Sequence, residues 1–151
     1  MKKKIIIPII LIIIVLGGLY LYEENYLKGN AKIEKTYFEI PAGFHEVKGD
    51  DIINLTDGNT SIFIRDHKHR TVEKGIQDYK DMKGENYTLN VTRYNVGNIT
   101  VSKGSCVDEP TTLHYWYVDN GDLYEIYTWT ANNNTDDVVS GLISSMRFFY
   151  I

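Results

Sequence analysis

The stretch TTLHYWYVDNGDLYEIYTWT, residues 111–130, decides the fold. Asn120-Gly121 at its centre is the strongest short-range signal for a two-residue β-hairpin turn, because both central positions of that turn need positive φ. The turn sets the register, so opposed residues are Val118 with Leu123, Tyr117 with Tyr124, Trp116 with Glu125, Tyr115 with Ile126, His114 with Tyr127 and Leu113 with Thr128. Side chains alternate between the faces of a strand. One face therefore carries Tyr115, Tyr117, Tyr124 and Ile126, and the other His114, Trp116, Leu123 and Tyr127. A sheet wet on one side alternates apolar with polar, so this hairpin is expected to be covered on both faces.

Covers lie on either side of it in the chain. Downstream, Thr135 as cap, Asp136 and Asp137 in the first turn, and Val138, Val139, Leu142, Ile143 and Met146 at helical spacing describe a C-terminal helix. The closing residues 147–151 read as either its last turn or a short strand. Upstream, Thr71 caps a second helix in which Val72, Ile76 and Tyr79 form the apolar stripe and Gly84 ends the run. Gly75 within it costs up to about 1 kcal/mol against Ala. Strands are expected at 36–40, 44–47, 51–55, 61–65 and 87–94, with another starting at 99–101 and a loop from 103 to 110.

The N-terminus has a different character. IIIPIILIIIVLGGLYLY, residues 5–22, is free of charge and spans about 27 Å as a helix at about 1.5 Å per residue. Lys2, Lys3 and Lys4 precede it, so residues 1–4 are expected in the cytoplasm and the chain beyond the span outside. The run exceeds a signal-peptide core of about 7–15 residues and closes on Tyr20 and Tyr22, which favours an uncleaved anchor over cleavage near Gly17 or Gly18. Cys106 is the sole cysteine, so the end of the run has no thiol for lipidation. Residues 23–35 read as a linker. The expectation is therefore an α+β protein: a transmembrane helix at 5–22, then one domain over 36–151 in which a mid-chain and a C-terminal helix pack an antiparallel sheet.

Charge excludes one class of partner. Without its first three lysines the chain keeps 13 of 16 basic residues against 20 acidic ones, a balance of −7, which disfavours nucleic acid. Asparagine points elsewhere. Asn54, Asn59, Asn86, Asn90, Asn98 and Asn133 each begin an Asn-x-Ser/Thr acceptor for N-glycosylation. These are six of twelve asparagines, where composition alone would give one or two; turns and strands rich in Asn and Thr are the other reading.

Ile40-Pro-Ala-Gly-Phe44, the order strand, hairpins, helix, antiparallel strands, helix, and the closing Ser144-Ser-Met-Arg-Phe148 resemble PsbP-like domains. The resemblance implies an α/β/α sandwich over about residues 36–151 and favours accessory roles over catalysis. It transfers no ligand and no functional residue.

Two constellations can carry chemistry. His67 and His69, extended, would share a face about 7 Å apart and chelate zinc or copper, a third ligand coming from His45, His114, Asp108 or Glu109; solvated loop histidines are the plain alternative. His114, Trp116, Glu125 and Tyr127 can form a small-ligand or sugar platform, or the edge of a core closed by a helix. The chain lacks a Gly-x-Ser-x-Gly elbow, a phosphate loop and a His-Glu-x-x-His motif. The function expected is thus a membrane-anchored, extracytoplasmic, non-enzymatic binding or accessory module without a cofactor, its partner an envelope protein or glycan. The alternatives are a small metal-dependent or hydrolytic enzyme using His67, His69 and Glu125, and a structural envelope component.

Overall fold

The computed structural model describes residues 3–22, 31–47 and 52–148, with side chains from residue 8 to residue 21 in the first segment. Helix α1 spans Lys3–Tyr22 with Pro8 inside it. Among the described residues no helix is long and apolar enough to cross a membrane. The single-pass transmembrane helix expected over 5–22 is corrected by that finding. Of the expected linker, residues 23–30 lie outside the described residues, as do the turn at 48–50 and the last three residues.

The domain is α+β, with two antiparallel sheets. The smaller pairs β1 (Ala31–Ile33) with β2 (Thr36–Phe38) and β2 with β10 (Arg147–Phe148), so Arg147 and Phe148 form a short strand rather than a further helical turn. β1 falls within the expected linker, and Ala31 and Ile33 are buried. The larger sheet contains β3 (His45–Val47), β4 (Ile53–Thr56), β5 (Ser61–His67), β6 (Asn90–Val96), β7 (Ile99–Ser105), β8 (Leu113–Asp119) and β9 (Asp122–Trp129). Its order is β3-β4-β5-β9-β8-β7-β6. The β8–β9 hairpin has the register its turn dictates, Trp116 opposite Glu125 and His114 opposite Tyr127. β7 extends through Ser105, so the first three residues of the expected loop at 103–110 are strand, paired to β6 and β8, and 106–110 form the loop.

Helix α3 (Thr135–Ser145) and the small sheet cover one face of the larger sheet. The core between them holds Phe38, Leu55, Ile62, Ile64, Tyr115, Tyr117, Tyr124, Ile126, Val139, Leu142 and Ile143, all essentially without solvent contact. Each such side chain contributes about 1.5–3 kcal/mol by leaving water. The N-cap of α3 is Asn134 rather than Thr135. Thr135 lies one residue inside, where its hydroxyl accepts the Asn132 N–H at 2.8 Å. Asp136 in the first turn ties the helix to the sheet through Lys103 Nζ at 2.6 Å and the Tyr115 hydroxyl at 2.7 Å.

Helix α2 (Val72–Lys83) lies on the opposite face. Thr71 caps it, accepting the Lys74 N–H at 3.2 Å, and Gly84 closes it at φ 93°. Its stripe of Val72, Ile76 and Tyr79 meets Trp116 and Leu123. The contact is close because α2 presents Gly75 to the sheet: a Cβ there would lie 2.8 Å from Leu123 Cδ2 and 3.2 Å from Trp116 Cδ1. The sequence shows only the helix cost of that glycine; the sheet it approaches supplies the reason for it.

Candidate functional site

α2 covers only part of its face. Strand registers align Asn54, Phe63, Tyr127 and His114 in one cross-strand row over β4, β5, β9 and β8. The next row, across β5, β9 and β8, is Arg65, Glu125 and Trp116. Phe63 stacks on Tyr127 at 4.7 Å between centroids and 9° between planes, and Tyr127 stacks on His114 at 5.7 Å. Such offset pairs contribute about 0.5–1.5 kcal/mol beyond area burial. Trp129, at the end of β9, leans on Phe63 at 4.8 Å and remains 55% exposed. The Arg65 guanidinium lies over the Tyr127 ring at 5.3 Å, and among the described residues no carboxylate pairs with it. Beside these rings is a cavity of about 220 Å³, bordered by Tyr79, Lys83, Thr112, His114 and Glu125.

Glu125 is the polar centre of this face. His67 Nε2 lies 3.1 Å from Glu125 Oε2, and His114 Nδ1 lies 3.5 Å from Oε1. An ionised carboxylate only accepts, so His67 Nε2 carries the proton between them. The His114 contact is at the outer limit of a hydrogen bond, and Nδ1 has no nearer partner among the described residues, so its pull is electrostatic more than directional. Burial pushes the Glu125 carboxyl up, but His114 and His67 outweigh it and hold the group below the usual carboxylate value. A carboxyl with a depressed folded pKa stabilises the fold above its unfolded value, and that contribution fades as pH falls through the folded one. Glu125→Gln should therefore cost about 1–3 kcal/mol at pH 7, and the gap between variant and wild type should narrow as pH falls from the unfolded carboxyl value, about 4.3, through the lowered folded one. Urea titrations at pH 7 and pH 3.5 measure it; a gap no smaller in acid than at pH 7 refutes it.

The sequence-predicted residues divide. His114, Glu125 and Tyr127 come together, and His67 joins them from β5. Trp116 lies beneath α2 with no exposure, so it belongs to the core, its Nε1 meeting no acceptor among the described residues. His69 does not share a face with His67. β5 ends at His67, and His69 adopts φ 57° in the following turn, where its N–H bonds Asp122 Oδ1 at 3.2 Å. Among the described residues no three His, Cys, Asp or Glu side chains gather to hold a metal ion. Phe63, Arg65 and Trp129 were not singled out by sequence. Their alternation in strands was visible, but their place beside Tyr127 depends on β5 pairing with β9, more than fifty residues away.

No family model and no curated protein matches this chain. Among solved structures it is similar to the solution structure of cyanobacterial PsbP (CyanoP) from Synechocystis sp. PCC 6803, at 15% identity and a TM-score of 0.46, over 76% of this chain and 87% of that one. The PsbP-like resemblance noted in the sequence thus has a counterpart among solved structures, and it extends to no ligand or residue role.

Proposed function

We propose that this protein is a non-enzymatic accessory module that binds a carbohydrate on the ring platform of Phe63, Tyr127 and Trp129. The observation that supports the reading is Trp129, left 55% exposed against a stacked aromatic pair beside a cavity. Ring faces carry negative electrostatic potential, and the C–H groups on the flat side of a pyranose present the complementary charge. A ligand pocket needs a few fixed polar groups as well as apolar walls. Here they are Arg65, Thr112 and Glu125. Glu125 is held by two imidazoles, so it can receive a sugar hydroxyl as an acceptor without reorganising.

The test uses the chain's two tryptophans. Trp116 is sealed in the core, so a ligand-dependent change in emission reports Trp129. A panel of soluble oligosaccharides should include at least one that shifts the emission saturably. Tyr127→Ala combined with Trp129→Ala should abolish retention on the matching polysaccharide while leaving the far-ultraviolet circular dichroism unchanged. Equal retention of variant and wild type would exclude this surface.

A further inference from the structure

We propose that Asn86, Asn90 and Asn98 carry N-linked glycans, set as a fence along the outer edge of the larger sheet. The inference is independent of the ring platform. Glycan transfer uses two groups, the Asn carboxamide and the hydroxyl two residues later, and the fold sorts the six motifs by whether both are accessible.

At Asn54 the carboxamide oxygen is buried without a partner, and the Thr56 hydroxyl is engaged by Thr60 O and the Gly58 N–H. At Asn133 the hydroxyl belongs to Thr135, which is 2% exposed and bonded to Asn132. At Asn59 the hydroxyl of Ser61 is half-buried in β5. The other three differ in kind: Asn86 with Thr88, Asn90 with Thr92 and Asn98 with Thr100 are exposed at both positions. Thr100 donates to Asn95 Oδ1 at 3.1 Å, itself an exposed contact.

These three also share one place. Asn90 opens β6, Asn86 lies four residues before it, and Asn98 follows Gly97 in the turn to β7. β6 ends the strand order, so among the described residues its outer side has no neighbour. A long open edge templates pairing with another chain, and proteins blunt such edges with charge or bulk. β6 carries one charged residue, Arg93. Glycans at its start, before it and beyond it would bar an incoming strand along its whole length. None of the three belongs to the row of Phe63, Tyr127 and His114.

In the transfer, Asn Nδ2 forms a C–N bond to the anomeric carbon of a lipid-phosphate-linked oligosaccharide. The anomeric C–O bond to phosphate breaks, the phosphate leaves on its lipid with the bonding pair, and Nδ2 gives up one proton. The chain must therefore reach the compartment that holds the transferase and its lipid donor.

Glycopeptide mass spectrometry of the protein isolated from the cells that make it tests the proposal. Trypsin cuts after Lys83, Arg93 and Lys103, so one peptide (84–93) holds Asn86 and Asn90 and the next (94–103) holds Asn98. The first should carry two glycan masses and the second one. Bare masses for both would overturn the proposal and leave these asparagines as ordinary strand and turn residues. Glycan confined to peptides 49–65 or 104–147 would overturn it equally, because accessibility on the folded edge would then not be what selects the sites.

Discussion

Raising the pH above about 10 should unfold this domain in one cooperative transition, driven by three phenols packed beneath α3 and the small sheet. Tyr117 is essentially sealed, and burial together with neighbouring Tyr124 pushes its pKa well above the ordinary value. Burial and the bond to Asp136 push Tyr115 up strongly. Burial takes Tyr124 to about 12, against the opposing pull of the Thr36 hydroxyl. In the unfolded chain each phenol ionises near 10. Above that pH the unfolded state binds fewer protons than the folded one, so stability is complete below about pH 10 and falls as pH rises toward the folded values. Each tyrosine contributes a slope of about 1.4 kcal/mol per pH unit, so three give about 4 kcal/mol per unit. At that slope a domain stable by about 5–15 kcal/mol is exhausted within about one to four units. Absorbance at 295 nm should rise in step with loss of circular dichroism, and Tyr117→Phe should make the transition less steep. Exposed tyrosines ionise near 10 without unfolding, so the refuting result is ionisation of all twelve, judged against the denatured protein, with the circular dichroism intact; it would show that these phenols ionise inside the fold.

What was legible in the sequence was whatever short-range geometry determines. Asn120-Gly121 fixed six cross-strand pairs, and Thr71 with Gly84 fixed both ends of α2, because turns and caps are decided within a few residues. The hairpin's two apolar faces likewise implied covers above and below, and α2 and α3 are there. Long-range placement was not legible. Trp116 and Tyr127 lie in the same hairpin on the same face, yet α2 stops short of Tyr127 and seals Trp116, so one belongs to an open platform and the other to the core. His67 and His69 looked like a pair only while the strand was assumed to continue; the left-handed turn at His69 ends it. Asn54 and Asn90 are identical as motifs and opposite in accessibility, because one sits on an interior strand and the other begins the edge. Residues 5–22 show the reverse: a strong local apolar signal identified a helix, but among the described residues no helix is long and apolar enough to cross a membrane.

Gly104→Ala should destabilise the domain by about 1–3 kcal/mol although it adds a single methyl group. Trp116 is clamped from two directions, by Gly75 of α2 and by Gly104 of β7. At Gly104 the added Cβ would lie 2.7 Å from Trp116 Cζ3 and 3.0 Å from Leu89 Cδ1. The first is part of a rigid, fully buried ring that cannot swing aside without displacing α2. Gly75→Ala is the informative contrast. Its Cβ would meet the end of Leu123 at 2.8 Å, a group able to change rotamer, while the helix gains about 1 kcal/mol in propensity. That gain offsets part of the crowding, so Gly75→Ala should be the milder of the two. Reducing the ring should then rescue the severe one. Trp116→Phe alone opens a cavity and costs stability, but combined with Gly104→Ala the methyl enters the vacated space, and the double variant should be more stable than the two single losses add up to. Urea unfolding of the four proteins measures that coupling, expected within the 0.5–3 kcal/mol typical of residues in contact. Additive losses would mean that the two sites yield independently and that Trp116 is not clamped.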